Sequence, residues 1–236
     1  MHSFLVTCEH GGNRIPALCR DLFPGQRAIL DSHRGYDAGA LVMAKALARA
    51  FAAPLVSSTV SRLVVDLNRS LGHPQLWSAA TRALPPTLRA RIVEQHYRPY
   101  RAEVLRRARR AVTRGRRVIH VSAHSFTPVL DGVVRRADVG LLYDPARRGE
   151  AELCARWKAA LARIAPELRV RRNYPYAGKG DGVTSALRRA FPPGAYLGME
   201  LEINQAIALA AGRRFAALRR ALIDALRMAL RGHSSR

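Results

Sequence analysis

The chain has 236 residues, is 48% hydrophobic and carries a formal net charge of +23, so it has enough apolar content for a sizeable core. It has no apolar run near the ~18 residues of a membrane span, and the opening M-H-S-F-L-V-T-C lacks the basic start and small-residue cleavage site of a secretion signal. It therefore reads as one soluble cytoplasmic domain over 1–236. Cys8, Cys19 and Cys154 are odd in number and scattered, which argues against a disulfide framework or a thiolate zinc site.

A charge of this size invites nucleic acid. Only Lys45, Lys158 and Lys179 among the forty basic residues are lysines, however, and the arginines are spread over every helix rather than massed in a tail. That distribution reads as solvated helical faces, with weak nonspecific polyanion binding as a secondary expectation and no specific nucleic-acid site. A basic nucleic-acid-binding protein on an inactive scaffold is the competing reading from another function class, and its binding to DNA would fall steeply with salt.

In chain order, Phe4 to Thr7 reads as a short strand feeding a glycine-containing turn, C-E-H-G-G-N, which puts His10 at a strand end. Asp31 to Asp37 offers a cap for a helix from about Ala38 to Phe51. Pro54 to Thr59 is a second strand, and the apolar centre of Val60 to Arg69 ends in the polar cluster Asp66, Asn68 and Arg69. After a loop from Gly72 to Pro86, a long helix is expected from Thr87 to Thr113, kinked or divided by Pro99.

Arg117 to Phe126, R-V-I-H-V-S-A-H-S-F, is an apolar run ending in polar groups. As a strand it puts His120, Ser122 and His124 on one face, with His124 at the exit as a candidate metal ligand. A loop through Gly132, a strand at Asp138 to Tyr143, a helix at Gly149 to Ala165 and a strand at Leu168 to Asn173 follow. The A-G-K-G-D-G of the next loop is not a phosphate loop, because Lys179 is followed by Gly180 rather than Ser or Thr and the leading glycine is missing. A short helix from Thr184 to Ala190, a strand from Tyr196 to Asn204 with Glu200, Glu202 and Asn204 on one face, and a helix from Phe215 to Leu230 complete the chain. Strands alternating with helices indicate the α/β class, a mostly parallel or mixed sheet with helices on both faces.

Four polar sets are thus expected at strand ends: His10 with Asn13, Asp66 with Asn68 and Arg69, His124 with Ser125, and Glu200 with Glu202. In an open α/β sheet they can converge on one crevice. Two histidines with an oxygen donor suit Zn²⁺ or another divalent metal and leave a position for water. Glu202 can serve as general base, and Glu200 can tune it or complete the metal shell. Arg69 can fork a substrate carboxylate. For each glutamate alone, a salt bridge to one of the many arginines is the competing reading.

V-T-C-E-H-G-G-N-R-I-P, V-V-D-L-N-R, S-A-H-S-F, N-Y-P-Y-A-G-K-G-D-G-V-T and M-E-L-E-I-N-Q, in this order from Val6 to Gln205, resemble N-formylglutamate amidohydrolases. The resemblance implies a zinc-peptidase-like α/β fold related to carboxypeptidases and aspartoacylases, and cleavage of an N-acyl amide by a metal-activated water. By position it implies His10 and His124 as metal ligands. Asn13 stands where the wider superfamily's H-x-x-E has a glutamate ligand, a departure that leaves the third ligand open. Asp66-Leu67-Asn68-Arg69 is similar to the D-L-N-R of aspartoacylase-like enzymes, which implies Asp66, Asn68 and Arg69 as substrate-binding residues and Arg62 as an oxyanion stabiliser. Glu202 matches the catalytic glutamate. The expected function is a metal-dependent amidohydrolase of amino-acid metabolism that removes a formyl or other small acyl group from an acidic amino acid such as N-formylglutamate. Another N-acyl amino-acid or peptide amidase on the same scaffold is the alternative.

Overall fold

Strand β3 (Arg117–Phe126) is buried along almost its whole length, as a strand covered on both faces must be. The computed structural model describes residues 2–210 and 213–231. It places β3 third in a six-stranded sheet of order β2-β1-β3-β8-β6-β7, made of β1 (His2–Cys8), β2 (Leu55–Ser57), β6 (Val139–Leu142), β7 (Val170–Arg172) and β8 (Tyr196–Asn204) with β3. Strands β2, β1, β3 and β8 are mutually parallel, β6 is antiparallel to β8, and β7 is parallel to β6. The sheet is mixed and mostly parallel, and the fold is α/β.

The two sides of the sheet differ in chemistry because side chains alternate along a strand. On one side Val121, Ala123, Met199, Leu201 and Ile203 join Met43, Trp157, Leu222 and Leu226 in a continuous apolar core. The last four come from α2 (Ala40–Ala50), α6 (Arg148–Ile164) and α9 (Arg213–Arg231). Each fully buried leucine there contributes about 1.5–3 kcal/mol, and the buried Trp157 indole donates to the Leu222 carbonyl at 3.0 Å. On the other side Leu5, Val118 and Tyr196 pack with Tyr100, Val104, Ala108 and Leu187, from α5 (Arg98–Val112) and α7 (Val183–Ala190). This second core covers the strand starts. Beyond it, on the same face, lie His120, Ser122 and His124 of β3 and Glu200 and Glu202 of β8.

One expectation is met and two differ from the structure. The long helix is divided into Pro86–Ile92, a wide π turn Val93–Tyr97, and Arg98–Val112. Pro99 has no N–H to give the preceding turn, and the widened turn absorbs the missing bond. The Val60 to Arg69 run is not a strand: it has only an isolated bridge, Arg14 to Val60. Its polar groups are satisfied locally, with Ser61 Oγ donating to Gly35 O and accepting from Leu63 N, and Asp66 N donating to Leu76 O. Finally, the loop after β3 contains a hairpin, β4 (Val129–Leu130) and β5 (Val133–Val134). Its two-residue turn has positive φ at Asp131 and Gly132, 49° and 78°, the conformation that Asp-Gly favours in tight hairpins. Among the described residues no helix is long and apolar enough to cross a membrane.

Candidate active site

Parallel register assembles the site. Thr7 pairs with Ser122, Ser122 with Glu200, and His124 with Glu202, so the three central strands bring their polar residues to one height. Continuing β1 by its alternation puts Glu9 beside Ser122 and His124, and His10 follows at the strand exit. Asp37, ahead of α2, and the irregular segment carrying Arg62, Asp66 and Asn68 close over these ends.

His10 Nδ1 lies 3.3 Å and His124 Nδ1 2.8 Å from the same atom, Asp37 Oδ2. The two rings are 5.3 Å apart, and one ligand atom from each of His10, Asp37 and His124 falls within 4.8 Å of the others. Each histidine turns its other nitrogen to a second carboxylate. His10 Nε2 is 2.7 Å from Asp66 Oδ1, and His124 Nε2 is 3.2 Å from Glu9 Oε2 and 2.9 Å from Ser122 Oγ. Arg62 donates to both aspartates, at 2.8 Å to Asp66 Oδ2 and 3.4 Å to Asp37 Oδ1. All but Arg62 are buried.

Burial alone would drive these groups to their neutral forms, yet their pairing reverses it. Against burial, the charges and hydrogen bonds of His10 and His124 hold Asp37 far below the usual carboxylate range, and Arg62 and His10 do the same for Asp66. Glu9 is likewise held low against burial by His124 and Ser122. His10 and His124 in turn are raised, against burial, by the carboxylates around them. Glu202 is the exception. Burial pushes its carboxyl up from 4.5 to about 8, and its Oε2 is buried with no hydrogen-bond partner. A group of ionised carboxylates and histidine nitrogens that converge on one point is a donor set suited to a divalent cation, and an unpaired glutamate beside it has the spare oxygen a proton acceptor needs.

The expected site residues are placed unevenly. His10, His124, Arg62, Asp66 and Glu202 fall together. Asn13 turns away: its amide donates to Asp31 Oδ1 at 2.7 Å and to Leu30 O at 3.3 Å. Asp66, expected on the substrate, has both oxygens engaged, by His10, Arg62 and the Asn68 backbone N–H. Glu200 accepts from Thr184 Oγ1 at 2.6 Å. Asn68 Oδ1 accepts from Val183 N at 2.8 Å while its Nδ2 lies 3.5 Å from His124 Nε2. Arg69 donates one N–H to Asp181 O at 3.1 Å, and its buried Nε has no partner. The A-G-K-G-D-G loop is thus a buttress: Asp181 also accepts from Ser70 N, and a Cβ at Gly182 would meet Asn68 Oδ1 at 2.8 Å. Two cavities of about 480 and 460 Å³ lie elsewhere, against α9 and between α5 and α7, and neither is lined by the clustered residues.

Asp37 and Glu9 join the cluster without having been expected there. Asp37 read as a helix cap, but α2 has no side-chain cap and begins after Gly39. Glu9 had a usable signal, since strand alternation from Leu5 through Thr7 carries it to the face that bears His124.

A family-wide model of N-formylglutamate amidohydrolases matches residues 2–209. A gene product of Agrobacterium tumefaciens of known crystal structure is 30% identical, with a TM-score of 0.86 over 99% of this chain and 92% of that one. N-formylglutamate amidohydrolase from Ralstonia eutropha JMP134 is 21% identical, with a TM-score of 0.69 over 98% of this chain and 94% of that one, and shares the fold. No curated protein matches the sequence significantly.

Proposed function

Because the chain belongs to the N-formylglutamate amidohydrolase family, a family of hydrolases acting on amide bonds, we propose that it cleaves the formyl or another small N-acyl group from an acidic amino acid, using a divalent cation held by His10, Asp37 and His124. The observation that carries this reading is the shared oxygen: two histidine Nδ1 atoms converge on Asp37 Oδ2 while Glu202 stands across from His124 in the strand register with an unpartnered carboxylate oxygen. Asp37 then replaces Asn13 as the third ligand, which suits a cation better, since a carboxylate is the stronger donor.

A cation such as Zn²⁺ would supply Lewis-acid polarisation of the amide carbonyl and lower the pKa of an attacking water. The residues of the chain do the rest. Asp66 fixes the His10 ring through Nε2 and so directs Nδ1 to the cation. Glu202 accepts the proton of the attacking water and returns it to the leaving nitrogen, a double role suited to a carboxyl whose burial holds its proton affinity near neutral pH. Arg62, anchored on two aspartates, puts a fixed positive charge beside the carbonyl oxygen as negative charge develops there. Arg69 forks the substrate carboxylate with the N–H groups that Asp181 does not use, and Asn68 assists it. Glu200, tied to Thr184, shapes the field around Glu202.

Metal analysis of the purified protein, with an amine-release screen over N-formyl, N-acetyl and N-succinyl amino acids, tests this reading. About one metal per chain and a preference for acidic N-acyl amino acids is the expected result. Equal rates on neutral and acidic substrates would remove the acidic specificity and leave the general amidase.

A further inference from the structure

Glu9 has no place in the reaction as described, yet it is fully buried at the exit of β1. An ion there loses its hydration, so its contacts must hold it. Ser122 Oγ donates to Oε2 at 2.6 Å, the Tyr100 hydroxyl donates to Oε1 at 2.8 Å, and His124 Nε2 is 3.2 Å from Oε2. Tyr100 is itself set in place, 3.3 Å from the Val56 carbonyl. Every contact of the carboxylate therefore comes from a fixed element: α5 on one oxygen, β3 on the other.

We propose that Glu9 is a positioning residue that holds His124 with its Nε2 proton turned inward and its Nδ1 lone pair turned to the metal. This inference rests on the metal-dependent reading above. Its support is the likeness between the two histidines. Both offer Nδ1 to Asp37 Oδ2, and both turn Nε2 to a second carboxylate, Asp66 for His10 and Glu9 for His124. In a neutral imidazole one nitrogen carries the proton and the other the lone pair, so an acceptor fixed at Nε2 selects which nitrogen can ligate. Asp66 reaches His10 from an irregular segment that Arg62 braces. Glu9 instead lies in the continuation of β1, one residue before His10, so a single strand exit supplies one ligand and orients the other. Ser122, 2.9 Å from His124 Nε2 and hydrogen-bonded to Glu9, fixes the angle between them.

A purely structural role, tying α5 to the sheet through Tyr100, is the competing account, and metal affinity separates the two. Zn²⁺ affinity is measured by chelator competition, and site geometry by the visible spectrum of the Co²⁺-loaded protein, for the parent, Glu9→Gln and Tyr100→Phe. Glu9→Gln is expected to bind Zn²⁺ about 10- to 100-fold more weakly, the usual effect of losing an outer-shell partner, with an altered Co²⁺ spectrum. Tyr100→Phe, which keeps the charge but frees one oxygen, is expected to bind Zn²⁺ more weakly than the parent and more tightly than Glu9→Gln. Parental affinity and an unchanged Co²⁺ spectrum in Glu9→Gln would overturn the proposal even if that variant melts earlier. Should Glu9→Gln fail to fold, parental affinity in Tyr100→Phe overturns it. A parent that binds neither metal would instead bring down the functional reading, and this inference with it.

Discussion

Replacing Glu202 by glutamine separates what this side chain does for the reaction from what its burial costs the fold. The carboxyl rises from 4.5 to about 8 in the folded protein because burial disfavours its charged form. Below about pH 4.5 it is protonated in both the folded and unfolded states, and its contribution to stability is fully present. As pH rises further the unfolded chain ionises while the folded protein keeps the proton, so stability is lost progressively until about pH 8, at about 1.4 kcal/mol per pH unit. Glutamine does not titrate and escapes this loss. Its own buried amide costs about 1–3 kcal/mol at every pH, so the informative quantity is the change in relative stability with pH. In urea denaturation of metal-free protein, the variant is expected to gain on the parent by about 4 kcal/mol between pH 5 and pH 9. With metal bound, the same variant is expected to lose about 10²- to 10⁴-fold in kcat as its proton acceptor disappears. A stability difference independent of pH would refute the claim that burial keeps Glu202 neutral, and an unchanged kcat would refute its role as base.

Asp37→Ala is expected to abolish metal binding measured by chelator competition, as is His124→Ala, while Asn13→Ala retains it; loss in Asn13→Ala alone would return the third ligand to that position. Arg69→Lys is expected to raise KM for acidic substrates much more than for neutral ones, because a point charge replaces a planar fork, and equal losses would show that Arg69 does not read the carboxylate. Glu150→Ala leaves the buried Arg188 without the carboxylate that it meets at 3.0 Å and is expected to cost about 3–5 kcal/mol in urea denaturation. A loss under about 1 kcal/mol would mean that the Gly178 and Gly198 carbonyls, which Arg188 also holds, suffice for it.

What was legible in the sequence followed from periodicity. His124, Glu200 and Glu202 sit on strands whose alternation is plain, so their shared face could be read directly, and the register of β3 with β8 then placed them side by side. His10 was legible as a strand exit. Asp37 was not, because its partners are 27 and 87 positions away and a lone aspartate before a helix has a local explanation ready. The Val60 to Arg69 run misled for a related reason: its apolar residues, Val60, Val64, Val65 and Leu67, fill the core against α5 and α7 from turns rather than from a strand, and hydropathy does not separate the two. Nor does any local pattern disclose that β6 runs against β8, since strand direction is decided by the path of the connecting chain.

In the proposed reaction, amide cleavage depends on a cation at His10, Asp37 and His124. Release of glutamate from N-formylglutamate, followed on one preparation as purified, after chelation, and after return of Zn²⁺, tests it most directly. Activity is expected to disappear with the metal, to return with it, and not to return in Asp37→Ala. Full activity in the chelated protein would contradict it.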